Sequence, residues 1–366
     1  MRFRYTAYDA ARHGRRERFQ ELERIFNILL LKTGGEVDTA LDWVQRLGDE
    51  HGWFDENYGF ADFKHDLLDR GRVAFVQGGG LQLTGQGELR LRREALERIF
   101  GALAAGQAEG DHRTRSDGGS GEDLGELRAF EYGDALERIA WTESLVPALA
   151  RRQPGTSGLE LREDDLTVRE CERHTGCATV LLIDVSHSMV LYGEDRMMPA
   201  REVALALLEL VTTRYRKDTL DLVLFGDRAE RVPLPKIPYI QAGPYHTNTK
   251  AGLRLAQEIL RNRRHVNKQI FMITDGKPSA IDRDGQIYKN PFGLDEEIVH
   301  RTLDEAMACR RAGITVTTFM VAKDPVLVGF VEEFTKLNHG RAYYTGTGKL
   351  GQTLFVDYLR NRRSLI

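Results

Sequence analysis

The chain has 366 residues, 41% apolar and 29% charged, enough for two or three domains at about 100–200 residues each. Its 52 basic and 55 acidic side chains give a net charge of −3, so no overall positive field points to nucleic acid. Three cysteines, Cys171, Cys177 and Cys309, are too few for a disulfide framework and suit a reducing compartment. No run approaches about 18 consecutive apolar residues, and MRFRYTAYDAARHGRRERF lacks the apolar stretch of an export signal. The expectation is a cytoplasmic protein without a membrane segment.

Residues 1–104 read as a mainly helical module. Apolar side chains recur at helical spacing over 19–31, 37–47, 60–68 and 91–103. The run Gly78, Gly79, Gly80 interrupts the pattern, and 80–89 reads as a small turn or wing. Short helices before a wing suit a winged-helix module or an ordinary bundle, and no clean basic recognition helix is visible. Arg12, Arg15, Arg16 and Arg18 sit near Glu17 and Glu21, the pattern of a solvated helix face.

Residues 105–128 form a Gly/Asp/Ser-rich stretch almost without large apolar groups, which predicts a flexible linker. Residues 129–174 read as a connecting segment packing on the C-terminal domain, with a helix from about Leu136 and an alternating edge strand within 159–174. Cys171, His174 and Cys177 are evenly spaced but lack a fourth nearby ligand, so a zinc site is not favoured and Cys177 reads as a small buried residue.

From 175 to 366 the pattern sharpens into α/β alternation. Apolar runs at 178–184, 220–226, 269–276 and 314–321 suit an open, mostly parallel sheet covered on both faces. A short strand near 231–234 and a last one near 342–345 complete the set. Helical stretches at 199–213, 250–260, 296–311 and 326–337 alternate with the strands, and a final helix runs to about Arg360.

In such a sheet the functional residues lie just beyond the carboxyl ends of the strands. Asp184, Ser186 and Ser188 follow the first run at i, i+2 and i+4. Asp275 closes the 269–276 run in a TDG triplet, and Thr247 and Thr249 precede a helix between them. All these donors are oxygens, which suits a hard cation such as Mg2+ rather than zinc. Two carboxylates with several neutral hydroxyls would leave such an ion electrophilic toward an outside anion. Serine and aspartate at such junctions also serve as helix caps or Asx turns, but capping does not require oxygen ligands at three separate junctions.

DVSHS, the threonine loop and ITDG together resemble the metal-ion-dependent adhesion site of von Willebrand factor type A domains, over about 175–360. The resemblance implies that Asp184, Ser186, Ser188, Thr247 and Asp275 hold the metal, with Thr247 selected over Thr249 by its distance from Gly252. It also implies that the remaining coordination position takes an Asp or Glu of a partner. His187 stands where the family often carries a small residue. YGEDRMMPAREVALAL, LVLFGDRAERV, GPYHTNTKAGLRLA and KQIFMITDGKPSA further resemble the bacterial CoxE-like and magnesium-chelatase D-like branches. That likeness implies a protein-interaction or adaptor role beside an AAA+ ATPase of the MoxR or chelatase type. Mg2+ is the expected ion, with Ca2+ or Mn2+ as substitutes.

Two other function classes stand beside this one. Asp184 could serve a Mg2+-dependent hydrolase or phosphotransfer enzyme, although Ser186 stands where that chemistry wants a second acid. The N-terminal module could associate with nucleic acid. GGGLQLTGQG lacks the GxxxxGK[ST] of a P-loop, and DVSHS replaces the GxGxxG of a dinucleotide fold. His187 and His246 flank the expected ion as rim residues or bases, and Asp227 as a brace or a cap.

Overall fold

The computed structural model describes residues 10–106, 122–130, 139–151, 161–172, 176–190, 195–275, 277–283, 285–290, 294–321 and 325–363. They fall into two compact units, one drawn from 1–110 and 177–357, the other from 111–176 and 358–366.

The first unit opens with α1 (Ala10–Lys32), α2 (Val37–His51) and α3 (Phe60–Asp69). Phe19 and Phe26 of α1 are buried with their rings 5.8 and 6.2 Å from that of Phe63 on α3. Arg15, Arg16 and Glu17 are exposed, as a solvated face requires, and the face also carries ion pairs. Arg15 donates to Asp66 at 3.0 Å and Arg18 pairs with Asp55, tying α1 to later segments. The expected turn is a hairpin of β1 (Val73–Phe75) and β2 (Leu81–Leu83), with Gly78, Gly79 and Gly80 at positive φ between them.

The hairpin leads into α4 (Gly85–Gly106), and here the expectation of a separate N-terminal module gives way. Helix α4 packs along α6 (Met197–Thr213) of the later sheet domain. Arg92 and Arg93 flank the buried Glu209, and Arg98 meets Glu202 at 2.9 Å. The Phe100 ring stands edge-on to buried Phe355, 5.4 Å away. Charge pairing and aromatic burial thus join the helices to the sheet as one body.

The second unit contains β3 (Glu122–Ala129), α5 (Trp141–Ala150) and β4 (Thr167–Glu172). Strand β3 falls inside the expected linker and pairs antiparallel with β4, so the glycine-rich stretch ends sooner than its composition predicts. Backbone pairing needs no apolar side chain, which is why composition concealed it. The rest of the expected linker, 107–121, lies outside the described residues, as do Leu136 and His174. Helix α5 begins at Trp141, and the Thr167 N–H donates to Ser144 Oγ at 2.9 Å. Arg151 pairs with Asp165, holding that carboxyl down to about 2.

The sheet follows, with β5 (Cys177–Asp184), β6 (Thr219–Phe225), β7 (Ala229–Val232), β8 (Asn267–Thr274), β11 (Ile314–Met320) and β12 (Arg341–Tyr344). A small hairpin, β9 (Ala280–Arg283) and β10 (Gln286–Lys289), stands between β8 and β11. The spatial order is β12-β11-β8-β5-β6-β7, parallel except for β7 at the edge. Central β5 is buried along its whole length, as its unbroken apolar run requires.

Helices α7 (Thr249–Arg261), α8 (Glu296–Arg311) and α9 (Pro325–Asn338) share one core with Val180, Leu182, Val223, Phe225, Ile270 and Met272. Thr317 projects from the opposite face by strand alternation, and its hydroxyl donates to buried Asp357 of α10 (Leu350–Arg363) at 3.2 Å. The Tyr343 hydroxyl donates to the same carboxylate at 2.9 Å. Gly252 of α7 lies so close to the sheet that a Cβ there would stand 3.1 Å from Phe225 and 3.3 Å from Leu182. No described helix is long and apolar enough to cross a membrane.

Because α4 and α10 meet through Phe100 and Phe355, the N-terminal helices and the sheet are expected to unfold in one transition. Phe355→Ala should lower the stability of both by about 3–5 kcal/mol, the usual cost of emptying a buried aromatic site. Denaturant unfolding followed by helix and tryptophan signals checks this, and two separated transitions in the parent protein would contradict it.

Candidate functional site

Strands β5 and β8 are neighbours, so their carboxyl ends place Asp184 and Asp275 at one edge of the sheet. Asp184 is the last residue of β5 and has 0% exposure. Its Oδ1 accepts the Ser186 N–H at 2.8 Å, and its Oδ2 accepts the Thr274 hydroxyl at 2.6 Å. The first contact turns the chain tightly after the strand, as an Asx turn does. The turn is anchored by Met189, which is fully buried and donates its N–H to Ser186 O.

That turn carries both serine side chains inward. Ser186 Oγ and Ser188 Oγ stand 3.0 Å apart, and the Ser188 hydroxyl donates to Asp275 Oδ1 at 2.8 Å. Four of the five expected ligands therefore form one hydrogen-bonded chain from Asp184 to Asp275. Capping explains the Asp184 contact but not the turning of Ser188 onto a carboxylate 87 residues later.

Thr247 reaches the same edge by a different route. It is buried in the loop before α7, which the Asn248 side chain caps by accepting the Ala251 N–H at 3.0 Å. The Thr247 N–H donates to Ser279 Oγ at 3.0 Å, and Thr247 O accepts the Ser279 N–H at 2.9 Å. Ser279 lies four residues after Asp275, so the threonine loop is laced to the segment leaving β8. Among the described residues, no hydrogen bond joins the Thr247 hydroxyl to the other four side chains. Thr249 is the first residue of α7.

The charge at this edge is uneven. Asp184 and Asp275 are both buried, and burial, then the charge of Asp275, pushes the Asp184 carboxyl up to about 7. Arg196 lies just before α6 and pairs with Asp275 Oδ2, while its Nη1 also donates to Ser188 O at 3.3 Å. One buried guanidinium thus faces two buried carboxylates. The donor set consists of oxygens alone and retains uncompensated negative charge, which fits a hard divalent cation.

Sequence reasoning missed Arg196, Thr274 and Ser279. Thr274 opens the TDG triplet and Ser279 follows it, both visible as polar residues at a strand end, but Arg196 stands in no motif and meets Asp275 only through the fold. Asp227 proves to be a brace. It accepts the His246 N–H at 2.9 Å and the Lys289 ammonium at 2.6 Å, so it joins the threonine loop to β10. Burial opposes its charge, yet these hydrogen bonds hold its carboxyl below the usual range. The His246 ring faces Asp227 at 3.5 Å, and His187 is an exposed rim residue whose N–H donates to Tyr245 O at 3.0 Å. The Tyr245 ring sits against Gly226 and Gly243, where any Cβ would collide with it.

A pH dependence follows. Unfolded Asp184 releases its proton near about pH 3.9, whereas the folded group holds it to about 7. In metal-free buffer this stabilisation is complete below about pH 4 and is lost as pH rises through 7, because the folded state binds the extra proton. Denaturation across that range should show stability falling with pH, and Asp184→Asn should flatten the slope. Parallel slopes in the two proteins would refute the assignment.

Comparison with known proteins now adds a family. The model for the vWA domain of Rv0959-like proteins matches residues 177–359, and the model for the third domain of the same proteins matches 122–171. "Uncharacterized protein Rv0959" of Mycobacterium tuberculosis is 30% identical over 310 residues, covering 83% of this chain and 45% of the relative. "Protein NorD" of Stutzerimonas stutzeri is 27% identical over 207 residues, covering 51% of this chain and 31% of its own length. This chain therefore spans less than half the length of these curated relatives. Among solved structures, the SpRpn10 VWA domain covers 52% of this chain and 98% of that chain at 14% identity and TM-score 0.37. The PilB minor pilin from Streptococcus sanguinis covers 59% and 67% at 16% identity and TM-score 0.43. With half of its residues matched by the family's model, and a mostly parallel sheet over the same span, the chain belongs to the Rv0959-like family and carries that family's vWA domain.

Proposed function

We propose that this protein is a metal-dependent protein-interaction module. Asp184, Ser186, Ser188, Thr247 and Asp275 hold a divalent cation, Mg2+ with Ca2+ or Mn2+ as substitutes, in a metal-ion-dependent adhesion site. The ion takes an Asp or Glu from a partner protein. The observation that carries this reading is the Ser188 hydroxyl, which meets Ser186 at 3.0 Å and Asp275 at 2.8 Å and so draws two loops toward one centre.

The electrostatics supports it. With Asp184 deprotonated, as a bound cation requires, two carboxylates and one guanidinium give the cradle −1, so a divalent ion makes it +1 and attractive to an incoming carboxylate. A hydrolase or phosphotransfer role for Asp184 fits less well. Both of its oxygens are engaged and it has no exposed surface, which a nucleophile needs. In the N-terminal region Arg15, Arg18, Arg72 and Arg90 are paired with Asp66, Asp55 and Glu23, which leaves these four unsuited to grip phosphates. The resemblance to CoxE-like and chelatase D-like proteins makes an AAA+ ATPase the partner class to test first.

Titrating Mg2+ into the protein should release or absorb measurable heat, and Asp184→Ala or Ser186→Ala should abolish it while the domain stays folded. Partner capture should fail in chelator and in the same variants, at a cost of about 2–5 kcal/mol of binding. Mg2+ titration heat that persists in Asp184→Ala would sink the proposed site. Arg196→Met should lower stability in chelator by about 3–5 kcal/mol, because Asp275 then loses its buried partner. Mg2+ should restore that stability and bind more tightly than to the parent, as read by thermal shift and calorimetry.

A further inference from the structure

The opposite edge of the same sheet carries a feature that metal binding does not use. Three loops enter β6, β8 and β11 there, after α6, α7 and α8. They and the helix ends present Arg214, Arg216, Lys217, Arg261, Arg264, Arg310 and Arg311, all exposed. None of the seven forms an ion pair with a described acidic residue. Two described acids at this edge are occupied. Asp218 is buried and accepts the Cys177 N–H at 3.0 Å, and buried Asp221 is paired with Arg231 and Arg263.

Strand pairing sets these loops in a row. Ile314 lies beside Lys268, Cys177 beside Asn267, and Ala178 beside Thr219. At about 4.8 Å per strand the row spans roughly 14 Å, so its charges lie within one to two Debye lengths of one another. His265 Nε2 meets Lys217 O at 2.9 Å and links the β6 and β8 loops. Cations in the last turn of a helix offset its dipole, but Arg216, Lys217 and Arg264 lie beyond the helices, where that gain has faded. Unopposed like charges held this close repel one another, in a chain whose net charge is −3.

Val266 stands between Arg264 and Lys268 in this row and is 87% exposed, the most exposed large apolar side chain among the described residues. A phosphate backbone has nothing to cover it, and the rings in these loops, Tyr215 and His265, are half-buried, with His265 held on Lys217 O, rather than open to stack on a base. We propose that the amino-terminal edge of the sheet is a second docking surface, shaped for an acidic polypeptide segment that carries an apolar residue. It is separate from the metal-site edge and needs no ion.

The test uses the full chain in chelator, where the proposed metal site is silent. The probe is a labelled glutamate-rich peptide of about twelve residues with a central leucine, long enough to cross the row in extended form. Fluorescence anisotropy should show binding that weakens with salt and is tighter than for the same peptide with glycine in place of leucine. Combined Arg216→Glu, Arg264→Glu and Arg310→Glu should lower affinity by about tenfold or more, and Val266→Ser should remove the preference for leucine. The proposal is overturned by no binding, by unchanged affinity in the triple variant, by equal affinity for the two peptides, or by tighter binding of duplex DNA of equal charge.

Discussion

Two buried carboxylates held at one strand edge are the constraint around which this molecule is organised. Asp184 and Asp275 come from adjacent parallel strands, so the sheet's own pairing forces them together. Left alone, such a pair resists ionisation, and the raised Asp184 carboxyl reflects that. Thr274, the Ser186 N–H, Ser188 and Arg196 each meet part of the demand for hydrogen bonds and positive charge. The remaining negative charge makes a cation the natural complement of the site.

The surroundings hold that arrangement rigid by ordinary means. Gly252 lets α7 sit close on Phe225 and Leu182, which fixes the helix whose entry carries Thr247. Asn248 caps that helix, Ser279 laces its entry to the segment after Asp275, and Asp227 braces it from β6 to Lys289. Each loop at the site is thus held by at least one contact to a different loop. Such cross-bracing holds these oxygens in place before any ligand arrives, which would reduce the ordering entropy that the proposed ion has to overcome.

Helix α4 extends the same body. Its arginines surround Glu209 and Glu202 on α6, the helix that begins beside Arg196, and its Phe100 meets Phe355 on α10. The N-terminal helices therefore share the core energetics of the vWA domain. Charge is divided between the two edges of the sheet, acidic and enclosed at the carboxyl ends, basic and open at the amino ends.

Much of this was legible in the residues. The apolar runs ending in Asp184 and in TDG are long enough to be buried strands, and polar residues just beyond them must lie at one edge once the sheet is parallel. Asp184, Ser186, Ser188 and Asp275 followed from that, as did the helices between the strands, whereas Thr247 was chosen over Thr249 by the family resemblance. The hairpin after Asp275 escaped notice although Gly285 stands at positive φ between its strands, and β3 escaped because its partner β4 lies far along the chain.

What periodicity reports is local: which face of a strand or helix is apolar, and where an element must stop. It specifies the sheet, its helices and the oxygen-rich ends of its strands without any knowledge of neighbours. Arg196 on Asp275, α4 along α6 and the row of cations at the far edge arise only when distant segments meet. Those contacts were settled by tertiary packing, because charge pairing and burial act through space and leave no spacing rule in the chain.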